Sequence, residues 1–225
     1  MLDLFCGRFG WSKAFLERGW ECVGIDLVAP PEIPKGCRFI KGNVLDITFR
    51  DAWFEIFNEY GMPELFTVDF VCASSPCEEF SVHGMKHFHP NPPYPYLGVE
   101  LFEHTRALLD ASGVPYVMEN VRAAQHFVGR AKHHCGPFYL WGNAVPMLMA
   151  QGIKKGIDVG SSRAVKTMNK EEKRQYRAQF KWNQAWSNSK RRQRDTAKAA
   201  TIPPELASCV ADYAGRILEA RACES

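Results

Sequence analysis

The chain has 225 residues, 46% of them hydrophobic and 24% charged, which excludes an intrinsically disordered protein and suits one globular domain, alone or with a small attachment. No apolar stretch approaches the roughly 18 to 20 residues that span a bilayer, and the N-terminal residues lack the features of a signal peptide, so we expect a cytoplasmic protein without a membrane segment. The net charge of +3 is uneven: residues 163–194 carry eleven of the 28 Lys and Arg residues and only two acids, which favours binding to a polyanion.

Short apolar runs alternate with amphipathic stretches in the first half of the chain. They predict strands at residues 1–6, 22–27, 38–41, 67–73 and 116–118, and helices at residues 10–18, 51–60 and 99–111. After about residue 130 we predict a strand at 138–141, a helix at 171–180, and an amphipathic helix from the Pro203-Pro204 pair to about Ala220. The βαβ order predicts an α/β fold with a doubly wound, Rossmann-like sheet, whose ligand sites lie at the carboxyl ends of its strands.

Glycines and acids follow the first three predicted strands. In the run Asp3-Leu-Phe-Cys-Gly-Arg-Phe-Gly10, Gly7 and Gly10 allow backbone amides to approach a ligand closely. Asp26 ends the second strand at the distance expected for an acid that binds a ribose diol. Asp46 ends the third and could accept a hydrogen bond from an adenine amino group. Together these residues predict a site for an adenosine-containing cofactor.

A cysteine and a glutamate follow the next two predicted strands. Cys77 stands in Ser75-Pro-Cys-Glu-Glu-Phe-Ser81, and Glu119 begins Glu119-Asn-Val121. A cysteine in a cleft is a nucleophile when its thiolate is favoured, and a carboxyl group beside it can donate a proton. A buried structural thiol is the alternative interpretation of Cys77. The other cysteines are scattered and indicate reduced thiols, and His133-His134-Cys135 matches no standard metal spacing, so we expect no metal.

These three motifs, in this order, resemble those of DNA cytosine-5 methyltransferases, class I enzymes that use S-adenosylmethionine. The family motif Asp-Leu-Phe-x-Gly-x-Gly-Gly matches residues 3–10 except at Phe9, and Pro-Cys-Gln-x-Phe-Ser matches residues 76–81 except at Glu78. The Glu-Asn-Val motif is intact, and the resemblance covers residues 1 to about 125. It implies that Cys77 attacks C6 of a flipped cytosine, that Glu119 holds N3 and N4 of the base, and that C5 takes the methyl group.

The resemblance also assigns binding residues. It implies that S-adenosylmethionine contacts Asp3, Phe5, Gly7, Gly10, Asp26, Asp46 and Pro76, and that DNA contacts Ser81, Lys86, Arg122, Arg191, Arg192 and Arg194. We divide the chain into a catalytic core at residues 1–141, a reduced basic DNA-recognition segment at 142–198, and a helix at 199–225 that returns to the core. Four aromatic side chains interleave with the charges of the basic segment, which favours nucleic-acid contact: Tyr176, Phe180, Trp182 and Trp186.

The chain also departs from the family. No Gln-x-Arg-x-Arg motif follows Glu119-Asn-Val121, although Arg122 and Arg130 are candidates for its arginine. The final Gly-Asn-Ser-Val-Pro motif is reduced to Thr201-Ile-Pro203. Two alternatives therefore stay open: the same chemistry on tRNA, or a catalytically inactive nucleic-acid-binding protein of this fold. The resemblance implies a monomer of prokaryotic or phage origin with, as one option, a cognate restriction endonuclease as partner.

Overall fold

The described part of the chain is a mixed α/β structure. A computed structural model describes residues 1–86, 89–147, 169 and 201–224. The chain divides into a larger unit, Met1–Ile153 with Ile202–Ser225, and a smaller one, Lys154–Thr201, of which Asn169 and Thr201 are described. The fold is therefore described for the larger unit. No helix of the described residues is both long and apolar enough to cross a membrane.

A central, mostly parallel sheet organises the larger unit. Within the described residues it contains seven strands: β1 (Leu2–Leu4), β2 (Cys22–Asp26), β3 (Cys37–Lys41), β7 (Val71–Ala73), β8 (Tyr116–Asn120), β9 (His133–Cys135) and β10 (Phe138–Trp141). The order is β3-β2-β1-β7-β8-β10-β9, in which β10 is antiparallel to both of its neighbours. β1, β2, β7 and β8 are rich in buried apolar residues because both faces of the sheet are covered there, whereas β3 at the edge buries only Ile40.

Helices cover the sheet on both sides. The described helices are α1 (Ser12–Leu16), α2 (Glu78–Gly84), α3 (Tyr96–Ser112), α4 (Gln125–Val128) and α5 (Pro204–Glu224), with 3₁₀ helices at Val44–Asp46 and Arg122–Ala124. On one face Phe15 of α1 packs with Leu206 and Val210 of α5 in a single buried cluster. On the other face Phe102 and Leu109 of α3 belong to a second cluster. The C-terminal helix therefore packs beside the first helix of the chain.

The helix predicted at residues 51–60 is wrong. These residues belong to a three-stranded antiparallel sheet of β4 (Thr48–Arg50), β5 (Trp53–Phe57) and β6 (Pro63–Phe66). Along β5 the buried residues Phe54 and Ile56 alternate with more exposed ones, which is the period of a strand with one buried face. Asp51 and Ala52 join β4 to β5 with φ of 52° and 68°, the left-handed backbone of a tight hairpin turn. Aromatic and β-branched residues fit this half-buried sheet better than a helix.

Other boundaries also differ from the prediction. The strand predicted at residues 67–73 is regular only at Val71–Ala73. No element is predicted for residues 78–84, which form α2, so the irregular stretch before α3 begins at about residue 85. The strands at residues 1–6, 22–27, 38–41 and 138–141 and the helices at 10–18, 99–111 and after Pro203 are confirmed within a few residues. The helix predicted at residues 171–180 lies outside the described residues.

Candidate active site

The candidate site lies at the carboxyl edge of the parallel strands. β1 is the strand at which the order reverses, because β2 and β3 lie on one side of it and β7 and β8 on the other. In doubly wound sheets a crevice opens at the carboxyl ends of the two strands that flank such a switch point. Here those ends are residues 5–10, which follow β1, and residues 74–77, which follow β7. The topology thus brings the glycine run and Cys77 to the carboxyl ends of two neighbouring strands, where such a crevice is expected.

The glycine run forms a tight turn with unusual backbone angles. Phe5, Gly7 and Phe9 have φ of 58°, 48° and 57°, so every second residue of this turn has left-handed backbone. Gly7 is exposed, and a Cβ there would meet only the Phe5 carbonyl oxygen, at 3.9 Å. Gly10 lies instead under Ile202, because a Cβ at Gly10 would be 3.0 Å from the Ile202 Cβ. The space above Gly7 is therefore open to a ligand. At Gly10 the lack of a side chain lets the segment that leads into α5 pack directly against the turn.

Asp26 joins the end of β2 to this turn. Its carboxylate accepts hydrogen bonds from the backbone N–H of Gly7 at 3.0 Å and of Val28 at 3.1 Å. The carboxylate is therefore held in a fixed orientation, and its oxygens keep further lone pairs for a diol. Leu27 and Val28, which follow it, are 62% and 72% exposed and give an apolar surface beside the acid. The sequence analysis did not single out these two residues, although their place directly after Asp26 was a usable signal.

Asp3 lies inside β1 rather than at its end. It is buried, and it accepts hydrogen bonds from the Ser12 hydroxyl at 2.6 Å and the Ser12 backbone N–H at 3.3 Å. Burial raises the pKa of the Asp3 carboxyl to about 7, against the opposing effect of the two bonds from Ser12. Asp3 thus fixes the first turn of α1. A ligand above the glycine turn would not contact the Asp3 carboxyl directly, and Asp3 would act on it only by positioning α1.

Asp46 does not end the third strand, as the sequence analysis placed it. It lies in the 3₁₀ helix Val44–Asp46 that follows β3, and its side chain is exposed. Asn43 caps this helix, because its side-chain oxygen accepts a hydrogen bond from the Leu45 backbone N–H at 3.2 Å. The cap gives Asp46 a defined position on the surface beyond the carboxyl end of β3.

Two hydrogen bonds tie the segment before Cys77 to its neighbours. The indole N–H of Trp11, next to the glycine turn, donates to the Ser74 hydroxyl at 2.9 Å. The buried Asn120 amide donates to the Ser75 carbonyl oxygen and hydroxyl, both at 3.0 Å. Residues 74–75 are therefore fixed between the turn after β1 and the end of β8. The sequence analysis missed the roles of Trp11 and Asn120, because hydrogen-bond partners so far apart along the chain leave no local pattern.

Cys77 follows this fixed segment directly. It is partly exposed and immediately precedes α2, and Pro76 beside it is exposed. Phe80 buries its ring in the core, and the Glu79 carboxylate accepts a hydrogen bond from the Gly98 backbone N–H at 2.7 Å, which links α2 to α3. The backbone on both sides of Cys77 is therefore held in place, and this suits a thiol that must be positioned against a reacting atom.

Glu119 occupies the penultimate position of β8, not a loop after it. It is partly buried and pairs in register with Leu140 of β10. Asn120 follows it and accepts a hydrogen bond from the Val121 backbone N–H at 2.8 Å. Asn120 is adjacent to Glu119, and Ser75 lies two residues before Cys77. The hydrogen bonds between Asn120 and Ser75 therefore connect the strand that carries Glu119 to the segment that carries Cys77.

The predicted DNA contacts fall in two places. Ser81 lies in α2, Lys86 is exposed two residues beyond it, and Arg122 is exposed at the start of the second 3₁₀ helix. A cavity of about 310 Å³ between α2 and α4 is lined by His83, Gly84, Lys86, His126 and Phe127. The surface around α2 and α4 thus carries basic side chains. Arg191, Arg192 and Arg194 lie outside the described residues, as does the rest of the basic segment 163–194 apart from Asn169.

Comparison with known proteins adds no assignment. No protein-family model matches the chain, and no curated protein matches it at the significance required. Among the described residues, no group of three or more His, Cys, Asp and Glu side chains is arranged to hold a metal ion. Function is therefore inferred from the motifs and from their arrangement at the carboxyl edge of the sheet.

Proposed function

We propose that the protein transfers a methyl group from S-adenosylmethionine to C5 of a cytosine in DNA, through a covalent bond between the Cys77 sulfur and C6 of the base. One observation carries the proposal. Asp26, the glycine turn, Cys77 and Glu119 lie at the carboxyl ends of β2, β1, β7 and β8, which are consecutive neighbours in the sheet. Four motifs that are far apart in sequence thus meet at one edge.

The residues at this edge fit the cofactor. The oriented Asp26 carboxylate suits the ribose hydroxyls, and the exposed Leu27 and Val28 suit the flat face of adenine. The open space above Gly7 admits the methionine part of the molecule close to the backbone. Bound there, S-adenosylmethionine would supply an electrophilic methyl group.

Phe9, which departs from the family motif, does not fill this space. Its ring is fully buried against Gly24 and meets the Phe39 ring edge-on at 6.4 Å between centroids. The large side chain therefore points into the core, away from the exposed side of the turn. The replacement costs strain, because φ at Phe9 is 57°, but it leaves room for a ligand above Gly7.

Cys77 and Glu119 supply the chemistry on the base. Cytosine C5 is a poor nucleophile until the Cys77 thiolate adds to C6 and makes C5 enamine-like. Glu119 bonds the N3 and N4 edge and stabilises the negative charge that develops at N3. A base removes the C5 proton after methyl transfer, and the thiolate leaves from C6. C6 is inaccessible within a duplex, so the cytosine must be flipped out, and the basic side chains around α2 and α4 are placed to hold the neighbouring phosphates.

Trapping on DNA that contains 5-fluorocytosine tests the proposal. Fluorine at C5 cannot leave as a proton does, so the protein should remain attached to the DNA in the presence of S-adenosylmethionine. Cys77→Ala should form no adduct and still bind the cofactor. Cys223→Ala, at the exposed end of α5, should form the adduct as the parent does.

Each other outcome has a defined meaning. If the parent forms no adduct with DNA of any sequence but does with tRNA, the substrate is RNA. If it binds S-adenosylmethionine and DNA but never forms an adduct with either nucleic acid, the catalytic proposal is wrong and the protein is a binding protein of this fold. If Cys77→Ala still forms the adduct, Cys77 is not the nucleophile.

A further inference from the structure

Two cysteines face each other at the opposite, amino edge of the sheet. Cys22 and Cys37 are the first residues of β2 and β3, and they are register partners in this parallel pair. Paired strands lie about 4.8 Å apart, which falls within the Cα separation of about 4.4–6.8 Å that disulfides span. Register partners also direct their side chains to the same face of the sheet. Both residues are thiols in this structure.

The two thiols have different surroundings. Cys22 is buried, and its single S–H can donate to the Ser12 carbonyl oxygen at 3.7 Å, to the Trp20 carbonyl oxygen at 3.8 Å or, once Cys37 has lost its proton, to the Cys37 sulfur. Cys37 is partly exposed. When Cys37 is ionised, a hydrogen bond from the Cys22 thiol lowers the pKa of Cys37; partial burial opposes this effect, and the charge of Lys13 adds to it. The same hydrogen bond raises the pKa of Cys22, so the thiolate forms at Cys37, the position that solvent reaches.

We propose that Cys37 and Cys22 form a redox pair, in which a hydroperoxide oxidises Cys37 and Cys22 then closes an intrachain disulfide. The arrangement has the three features of a peroxide-sensitive site: a stabilised thiolate, access from solvent and an adjacent resolving thiol. The site lies at the edge of the sheet opposite Cys77, so the proposal does not depend on the proposed methyl transfer.

The chemistry balances with hydrogen peroxide as the oxidant. The Cys37 thiolate attacks one peroxide oxygen, the O–O bond breaks, and the leaving hydroxide takes up a proton to form water. The product at Cys37 is a sulfenic acid. The Cys22 sulfur gives up its proton and attacks the Cys37 sulfur, the S–O bond breaks, and the second oxygen leaves as water. Two thiols are oxidised to one disulfide while one peroxide is reduced to two waters.

The buried cysteines of the same face provide an internal comparison. Cys72 and Cys6 are buried, and desolvation raises the pKa of both thiols, so they should stay reduced. Oxidation of Cys22 would also remove its hydrogen bond to the Ser12 carbonyl in α1.

Peptide mapping tests the proposal on the intact protein. Trypsin cleaves after Lys35 and so places Cys22 in residues 19–35 and Cys37 in residues 36–38. After brief exposure to hydrogen peroxide and alkylation of the remaining thiols, these two peptides should be recovered joined, and dithiothreitol should separate them. Cys72 and the exposed Cys223 should be recovered alkylated.

Two variants separate the roles of the pair. In Cys22→Ala the sulfenic acid at Cys37 should persist and react with a 1,3-diketone probe, because nothing resolves it. In Cys37→Ala, loss of the Cys22 thiol should be at least tenfold slower than in the parent. The proposal is overturned if residues 19–35 and 36–38 stay unlinked at peroxide concentrations that fully oxidise Cys223, or if Cys37→Ala leaves the oxidation of Cys22 unchanged.

Discussion

Removal of the Asn120 side chain should cost far more than removal of a comparable asparagine on the surface. Asn120 is fully buried and makes three hydrogen bonds of 2.8–3.0 Å, two to Ser75 and one from Val121. In Asn120→Ala the Ser75 carbonyl and hydroxyl lose their partner in a place that water does not reach. Each buried unsatisfied group costs about 1–3 kcal/mol. We therefore expect the free energy of unfolding to fall by about 3 kcal/mol, and Tm by about 6–12 °C for a chain of this size.

Asn143→Ala is the matched control. Asn143 also bridges two backbone groups, as acceptor from the Tyr116 N–H at 2.8 Å and donor to the Val114 carbonyl at 3.2 Å. It is exposed, however, so water can replace the lost bonds and the cost should be about 1 kcal/mol or less. Urea unfolding of both variants measures the difference. Values within about 0.5 kcal/mol of each other would refute the reasoning.

A third variant separates hydrogen bonding from packing. Asn120→Asp keeps the shape of the side chain but, when ionised, points a buried carboxylate at the Ser75 carbonyl oxygen, to which it cannot donate; only the Ser75 hydroxyl can turn to donate to it. If the hydrogen bonds matter, Asn120→Asp should be at least as destabilising as Asn120→Ala at pH 7 and should regain stability as the pH falls and the carboxyl group is protonated. A stability equal to that of the parent at pH 7 would instead assign the loss in Asn120→Ala to the cavity.

Three further predictions test other parts of the structure. Ala52→Gly should stabilise the protein by about 0.5–1 kcal/mol because φ is 68° there, whereas Ala111→Gly in α3 should cost about 1 kcal/mol; denaturant unfolding of both compares them. The Asp3 carboxyl binds its proton more tightly in the folded protein, where its pKa is about 7 against the ordinary value of 3.8. Ionisation of Asp3 therefore lowers the free energy of unfolding as the pH rises from about 4 to 7, by up to about 4 kcal/mol. Asp3→Asn should flatten that slope in urea titrations at several pH values, and an unchanged slope would contradict the assignment. Gly24→Ala should cost about 1–3 kcal/mol because its Cβ would lie 2.3 Å from the Phe9 ring, and Phe9→Ala in the same chain should relieve part of that cost in a double-mutant cycle.

The exposed apolar side of the hairpin sheet shows why one element was predicted wrongly. Trp53 and Phe57 are 46% and 51% exposed, so residues 51–60 contain apolar side chains on both faces of the strand; Leu65 of the neighbouring β6 is 58% exposed. Apolar side chains on both faces obscure the alternation of a strand in the sequence, and the aromatic content alone does not decide between helix and strand. The left-handed turn at Asp51-Ala52 makes these residues part of a hairpin rather than a helix, and no glycine marks that turn in the sequence.

The sequence by itself determined the elements whose signal is local. Continuous apolar runs between turn residues located β1, β2, β3 and β10, and the motifs around Gly7, Cys77 and Glu119 were recognised because their residues are neighbours in the chain. The topological rule for doubly wound sheets then placed those motifs at one edge, because parallel strands all end on the same side. Local spacing was sufficient for these predictions.

Only the tertiary structure decided which distant residues meet and how deeply each is buried. Ile202 lies against Gly10 and Asn120 holds Ser75, although 192 and 45 positions separate the partners, and Asp3 and Phe9 are buried beneath the turn that they belong to. Burial and long-range contact depend on how the whole sheet and its helices pack, so they set the raised pKa of Asp3 and the inward direction of Phe9. A motif carries the identity of a residue, whereas its exposure and its partners come from chain segments that the motif does not contain.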